Sequence, residues 1–137
     1  MPNMIKMEMS SKENLRIYVL INTTANMSVG KSVVQAAHGV ETMTETLLLR
    51  HRKTWRSYKN SGCAKIALGC PAHLLRTLHD KYNEQPKDLQ KNPIRCTEVI
   101  DAGLTEVKTG TTTALVFFPM RRCDAPEEFE LLKLMKA

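Results

Sequence analysis

The sequence of 137 residues has few of the features that build covalently linked, metal-bound or membrane-spanning proteins. Its four cysteines form no C-x-x-C pair and have no histidine at zinc-ligand spacing, so we predict no disulfide framework, metal site or cofactor. Reduced, mostly buried thiols are expected, as is usual in the cytosol. No stretch approaches the roughly 18 apolar residues of a membrane span. The sequence therefore predicts a cytoplasmic protein with no membrane partner.

Acidic residues are also scarce, with 14 Asp and Glu against 20 Lys and Arg, which gives a net charge of +6. This surplus favours a polyanionic partner, and nucleic acid before membrane. Residues 1–14 are polar and contain no apolar segment typical of a secretion signal, so we expect a disordered tail. The remainder, 15–137, has the length and composition of one globular domain.

The apolar pattern predicts elements in the order β-α-β-α-β-β-α. Strands are expected at 15–21, 64–68, 94–100 and 112–118, and helices from about 30 to the high forties, at 71–82 and from about 125 to 135. The polar, proline-bounded segment 83–93 is predicted to be a surface loop. This order predicts a single-domain α/β protein, specifically a three-layer α/β/α sandwich with a four-stranded mixed sheet.

The first predicted helix is amphipathic. Its polar face carries Lys31, Gln35 and His38, separated by four and three residues, so the three side chains project from one side. Such a face can aim a cation, an amide and an imidazole at one anionic or carbonyl group, but a merely solvated face has the same pattern. The opposite face is predicted to be buried and consists of Val33, Ala36, Val40, Met43 and Leu47.

The loop before this helix partly matches the sequence motif of a phosphate-binding loop. Residues 30–32 read Gly-Lys-Ser, but Ala25 stands where that loop requires a glycine. A nucleotide hydrolase also needs a carboxylate for Mg²⁺ at the end of an apolar strand, and Asp101 is only a loose candidate. A small nucleotide-binding protein is therefore one of the alternative functions that the sequence leaves open.

Two later segments favour a functional interpretation of the polar helix face over a merely solvated one. An Asp-Ala-Gly at 101–103, with Thr105 after it, follows the third predicted strand, and a Gly-Thr-x-Thr at 110–113 opens the fourth. Asp-x-Gly is a common turn, but it also stands where open α/β sheets place ligand-binding residues. Together with the helix face, these segments resemble the archaeal and eukaryotic type of peptidyl-tRNA hydrolase, from about residue 16 to 136.

The resemblance implies hydrolysis of the ester between a peptide and the terminal ribose of tRNA. This reaction needs a positioned water, a group that orients or deprotonates it, and a donor to the tetrahedral oxyanion. Asp101 is expected to hold or activate the water, with Thr105 and Thr113 fixing its geometry through their hydroxyl groups.

The helix face supplies the rest of the implied catalytic set. Lys31 is expected to stabilise the oxyanion or a terminal phosphate, with Gln35 and His38 as orienting groups. Whether Asp101 or His38 is the base is open at this point.

The chain departs from the family pattern at several places. Asn26 and Val29 occupy the places of two loop lysines, which leaves only Lys31. Leu104 replaces a basic residue, and Glu106 replaces a glutamine. These changes keep an alternative open, a catalytically weakened family member that serves as a tRNA-binding or protein-binding adaptor.

A basic stretch at 50–59 carries five Lys or Arg and two aromatic residues. We predict that it binds tRNA through phosphates, with Trp55 or Tyr58 stacking on an unpaired base. The alternative is a solvated helix end whose Trp55 packs into the core. The predicted tRNA-binding residues are Arg50, Arg52, Lys53, Arg56, Lys59 and Lys65. A homodimer is possible, but no residue pattern requires it.

Overall fold

The computed structural model describes residues 14–83, 94–102 and 107–135. Within these ranges the chain forms an α/β unit with one mixed sheet and three α-helices. The predicted tail, all but Asn14, lies outside the described residues, as do Thr105 and the greater part of the predicted loop at 83–93. Among the described residues, none of the helices has the combination of length and apolar character that a membrane span requires.

Six strands form the sheet within the described residues, so the expectation of four is wrong. They are β1 (Leu15–Asn22), β2 (Ala64–Cys70), β3 (Cys96–Ile100), β4 (Thr112–Phe117), β5 (Met120–Arg121) and β6 (Lys133–Leu134). The order is β3-β4-β1-β2-β6, and β5 also pairs with β1. Strands β1 and β2 are parallel, whereas β4 is antiparallel to both β1 and β3, and β6 is antiparallel to β2. The two extra strands contain two residues each, too few for an alternating apolar pattern.

The helices are α1 (Val29–Arg50), α2 (Arg52–Asn60) and α3 (Ala72–Tyr82). Ser28 caps α1, since its side-chain oxygen accepts a hydrogen bond from the Lys31 backbone N–H at 3.1 Å. The backbone leaves the helical region at His51, with φ −140° and ψ 54°, and α2 begins immediately after it. The sequence pattern does not predict α2 as a separate helix.

The predicted closing helix at 125–135 is wrong. The chain forms 3₁₀ turns at Arg122–Asp124 and Glu127–Leu131, and then β6. One such turn is enough to bury Phe129, which is 8% exposed. Leu132 is extended, with ψ 151°, and this lets Lys133 and Leu134 pair with β2. Pairing with the sheet thus prevails over the local helical pattern.

Alternate residues of β1 belong to two separate hydrophobic clusters, as the two-residue period of a strand requires. One cluster joins Ile17, Val19 and Ile21 to side chains of α1 and α2. The other joins Tyr18 and Leu20 to side chains of α3 and to the C-terminal 3₁₀ segment. Both faces of the central strand are therefore covered.

The buried face of α1 is rotated from the predicted one. Met43 and Leu47 are fully buried, as expected, but Val33 is 60% exposed and Gln35 only 4% exposed. Gly39, between Gln35 and Met43 on the helix, is also buried. The predicted polar face therefore meets the sheet at Gln35.

The close approach of α1 to the sheet depends on Gly39. A Cβ at this position would lie 2.3 Å from Val116 Cγ2 and 2.9 Å from Val99 Cγ2. We expect Gly39→Ala to lower the free energy of unfolding by about 1–3 kcal/mol, although alanine is the better helix former. Gly30→Ala is the matched control, since the nearest atom to its Cβ is Ser28 Oγ at 4.0 Å, and it should not destabilise. Urea unfolding measures both, and equal losses would contradict the prediction.

Candidate active site

The candidate site lies where β1 ends and α1 begins. Asn22, the last residue of β1, donates from Nδ2 to the Thr112 carbonyl at 2.8 Å and accepts from the Ala25 N–H at 3.1 Å. The turn between β1 and α1 is therefore tied to the start of β4. Sequence reasoning passed over Asn22, although a polar residue at the carboxyl end of a central strand is itself a signal.

Lys31 and Asp101 form a mostly buried ion pair. Lys31 Nζ lies 2.5 Å from Asp101 Oδ1, and the two side chains are 12% and 4% exposed. Lys31 stands in the first turn of α1, where the helix dipole disfavours a cation, so the carboxylate offsets a local cost.

The backbone of Asp101 is held by the loop before β4. Its N–H donates to the Thr111 carbonyl at 2.9 Å, and its carbonyl accepts from the Gly110 N–H at 3.1 Å. Gly110 has φ 87°, a left-handed conformation that glycine adopts readily. The carboxylate is thus placed by the ends of both β3 and β4.

Gln35 and Thr113 make a buried chain of hydrogen bonds. Gln35 Nε2 donates to Thr113 Oγ1 at 2.9 Å, and Thr113 Oγ1 donates to the Val99 carbonyl at 3.2 Å. Gln35 is 4% exposed and Thr113 is completely buried. Because its hydroxyl proton is committed to Val99, Thr113 is suited to holding the Gln35 amide in place.

The structure brings four of the six predicted catalytic residues together and leaves one apart. Lys31 and Gln35 are one helical turn apart on α1 and face Asp101 and Thr113. His38 is exposed, about 10 Å from Lys31 along the helix axis, and makes no hydrogen bond or ion pair with any described residue. Thr105, the sixth, lies outside the described ranges.

This arrangement suits the activation of a water molecule. An ammonium and a carboxylate, both largely removed from solvent, supply an oxyanion donor and a proton acceptor within one contact. Cys70, at the end of β2, is not a competing nucleophile, because burial raises the pKa of its thiol to about 11. Within the described ranges, no three His, Cys, Asp or Glu side chains converge as metal ligands.

A cleft of about 210 Å³ opens on the other face of the sheet, against α3. It is lined in part by His79, Glu98 and Thr112. The Thr112 hydroxyl donates to Glu98 Oε2 at 2.5 Å, and His79 Nε2 lies 3.6 Å from Glu98 Oε1. Asn22 and residues 110–112 of the Gly-Thr-x-Thr segment also line this cleft. No sequence pattern indicated the contributions of His79 and Glu98, which come from distant segments.

The six predicted tRNA-binding cations are all exposed. The two aromatic residues beside them, Trp55 and Tyr58, differ in how deeply they are buried. Tyr58 is 2% exposed and its hydroxyl donates to the Ala64 carbonyl at 3.2 Å, so it cannot stack on a base as expected. Burial accordingly raises the pKa of Tyr58. Trp55 is partly buried against the α1 and α2 cluster, with Lys59 Nζ 5.8 Å from its ring centroid.

The sequence pattern of the family described as "Peptidyl-tRNA hydrolase PTH2" matches residues 15–135. A "Probable peptidyl-tRNA hydrolase 2" of Drosophila melanogaster is 24% identical over 123 residues, which are 90% of this chain and 63% of that protein. A protein of the same description from Dictyostelium discoideum is 31% identical over 110 residues, or 80% of this chain and 47% of that one. The "Peptidyl-tRNA hydrolase" of Sulfolobus acidocaldarius is 32% identical over 119 residues, which cover 83% of this chain and 90% of that protein. The chain thus spans 63% and 47% of the two eukaryotic relatives and most of the archaeal one, and it belongs to the PTH2 family of peptidyl-tRNA hydrolases.

Proposed function

We propose that this chain hydrolyses the ester between a peptide and the terminal ribose of tRNA, releasing the peptide and free tRNA. The observation that carries the proposal is the buried Lys31–Asp101 pair, set beside the Gln35–Thr113 hydrogen bond at the end of the central strand. Membership of the PTH2 family and the names of its relatives support the same activity.

In the proposed mechanism Asp101 is the base. Its carboxylate takes a proton from the water that attacks the ester carbonyl carbon, and Lys31 stabilises the negative charge on the carbonyl oxygen. When the intermediate collapses, the bond to the ribose oxygen breaks and Asp101 returns its proton to that oxygen. His38 is the weaker candidate for the base, since it lies about 10 Å along α1 from Lys31.

The other predicted residues act by positioning. Gln35, fixed by Thr113, presents its amide beside Lys31, and we propose that this amide orients the carbonyl or the water. Thr105 keeps its predicted role in fixing the water, and His38 keeps its predicted role as an orienting group. None of these three roles requires a change of protonation.

Loss of the Thr113 hydroxyl should show how far the site depends on this positioning. In Thr113→Val the Gln35 amide loses its acceptor inside the protein, and we expect the free energy of unfolding to fall by about 1–3 kcal/mol. We also expect kcat to fall about tenfold or more, because the amide is no longer fixed. The control is Thr112→Val, the same change on the preceding residue, whose side chain faces Glu98 in the cleft against α3. Steady-state kinetics on N-acetyl-aminoacyl-tRNA measures kcat for both variants. A matching loss of kcat in Thr112→Val would contradict the positioning role of Thr113.

Two other functions compete with the hydrolase. The missing loop lysines at Asn26 and Val29 favour an adaptor that binds tRNA or a protein without turnover. A phosphate-binding loop is less well supported, because Lys31, which would reach the phosphates, is paired with Asp101 instead.

The test is hydrolysis of N-acetyl-aminoacyl-tRNA by the purified protein, measured as release of deacylated tRNA. Asp101→Asn protein purified in the same way controls for contaminating hydrolases. Turnover that the variant lacks establishes the hydrolase. A folded protein that binds tRNA without turnover would be the adaptor, and Mg²⁺-dependent nucleotide binding by calorimetry would indicate the phosphate-binding loop.

We also infer that the two hydrophobic clusters, one on each side of β1, belong to an α/β/α layered arrangement. The domain limits at 15–137, the cytoplasmic location and the possible homodimer stay predictions. The six exposed cations are proposed to bind the phosphates of tRNA.

A further inference from the structure

We propose that the basic surface formed by α2 and the start of β2 binds the double-stranded arm of the tRNA and not its unpaired 3′ end. This basic surface consists of Arg50, Arg52, Lys53, Arg56, Lys59 and Lys65. The inference rests on the proposed function, because it takes the ester to lie at the Lys31–Asp101 pair.

Two independent lengths in the fold separate the basic surface from the ion pair. Lys31 and Arg50 are nineteen positions apart on α1, which corresponds to about 28 Å along its axis. The C-terminal end of α2 is fixed to the first residue of β1, because the Leu15 N–H donates to Ser61 Oγ at 2.9 Å. Strand β1 then extends for about 23 Å from Leu15 to Asn22, where the candidate site lies. The basic surface therefore lies at the opposite end of the sheet.

Both ends nevertheless belong to the same face of the molecule. Tyr58 of α2 packs into the cluster that also contains Met43 and Leu47 of α1. One elongated ligand lying along α1 can therefore contact both ends. Between them α1 exposes Glu41 and Glu45, which repel phosphates, so we expect two separated points of contact.

This distance decides which part of the substrate reaches the basic surface. The unpaired 3′ end of a tRNA is only a few nucleotides long, so phosphates about 28 Å from the ester belong mainly to the adjoining double helix. Double-stranded RNA is recognised by its shape and its phosphates, which requires cations but no base-stacking platform. The burial of Tyr58, which cannot stack on a base, agrees with that requirement.

The composition of α2 also indicates a binding role. Four of its nine residues are Lys or Arg, and its first turn has no acidic residue and no side-chain cap. Arg52 and Lys53 thus stand at the positive end of the helix dipole, where cations are unfavourable for the helix itself. A groove of about 350 Å³ lies among these cations, between Arg52, Arg56 and Lys59, with Trp55 beside it. Such a concave cationic surface fits a phosphate backbone.

The test compares two substrates and two double variants. The substrates are N-acetyl-aminoacyl-tRNA and an N-acetyl-aminoacyl oligonucleotide with only the unpaired 3′ nucleotides. The test variant is Arg56→Ala/Lys59→Ala, and the control is Arg122→Ala/Lys133→Ala, which removes the same charge from exposed positions of the C-terminal segment. Binding of deacylated tRNA is measured by fluorescence anisotropy at several salt concentrations, on the same proteins.

The kinetic result expected is a change in substrate preference. The ratio of kcat/KM for full-length tRNA to that for the short oligonucleotide should fall about tenfold or more in Arg56→Ala/Lys59→Ala, and should not change in the control. A fall of kcat/KM by the same factor for both substrates would overturn the inference, as would an equal fall of the ratio in the control.

The binding result separates this inference from the proposed function. The slope of log affinity for deacylated tRNA against log salt should be shallower by about two in the test variant, one for each phosphate that is no longer neutralised. If the unsubstituted protein hydrolyses neither substrate but its tRNA affinity shows this change, the proposed function fails and the basic surface is still the RNA site. An unchanged affinity and slope in the test variant would refute the basic surface whatever the hydrolytic activity.

Discussion

Replacing Asp101 by asparagine should reduce kcat for N-acetyl-aminoacyl-tRNA by about 10²–10⁴-fold, the contribution expected of a general base. An amide of the same shape cannot accept the proton of the attacking water, and it also leaves Lys31 without its counter-ion. KM should change little, because the proposed phosphate contacts lie at the other end of the sheet. Steady-state kinetics over a range of substrate concentrations measures kcat and KM separately.

The control for this substitution is Glu98→Gln. Glu98 is a partly buried carboxylate within β3, whereas Asp101 follows that strand, and the Glu98 side chain meets Thr112 and His79 in the cleft on the opposite face. It should keep kcat within a few-fold of the unsubstituted protein. If instead Glu98→Gln lost as much activity as Asp101→Asn, the base would have to be sought in that cleft, and full kcat in Asp101→Asn would rule out Asp101 altogether.

Local apolar pattern predicted the long elements of this fold and missed the short ones. The apolar runs of β1 and β4 identified both strands, and the helical spacing around Leu75 and Leu78 identified α3. The strand β6 contains two residues and exists only because β2 offers an edge with which it pairs. A helical pattern at the C-terminus therefore gave a wrong prediction, since the decisive contact comes from a strand far away in sequence.

The rotation of α1 could not be predicted for a related reason. Gln35 was placed on the face opposite the predicted buried one, but it is only 4% exposed. The cause is Gly39, whose missing side chain lets the helix approach Val99 and Val116. Which face of an amphipathic helix meets a sheet is decided by this fit between surfaces, and helical periodicity contains no information about it.

The residues of the candidate site were chosen from a resemblance, and a resemblance contains no information about their geometry. Lys31 and Asp101 are 70 positions apart, and nothing in the spacing of either residue indicates that they form an ion pair. Asn22 was missed because a polar residue after a strand is usually only a turn signal. The hydrogen bonds from Asn22 to Thr112 and from Ala25 to Asn22 show its role in joining the two loops.

Lys31→Met should have the second large effect, and it allows the catalytic and structural roles of the ion pair to be separated. Loss of the oxyanion donor is expected to reduce kcat by about 10²–10³-fold. The same change leaves Asp101, 4% exposed, without a counter-charge, so the free energy of unfolding should also fall, by about 1–3 kcal/mol for a pair that is not completely buried. Steady-state kinetics and urea unfolding on the same preparation measure kcat and the free energy of unfolding.

The double variant Lys31→Met/Asp101→Asn then distinguishes the two effects. Because neither charge is left alone in it, its stability should recover most of what Lys31→Met loses, so the two substitutions are not additive in unfolding. Its kcat should not recover, since both the proton acceptor and the oxyanion donor are gone, and it should be no higher than that of the slower single variant. If kcat returned together with stability, the ion pair would be holding α1 against the sheet and the catalytic groups would lie elsewhere. If kcat stayed low at restored stability, Lys31 and Asp101 would act on the substrate.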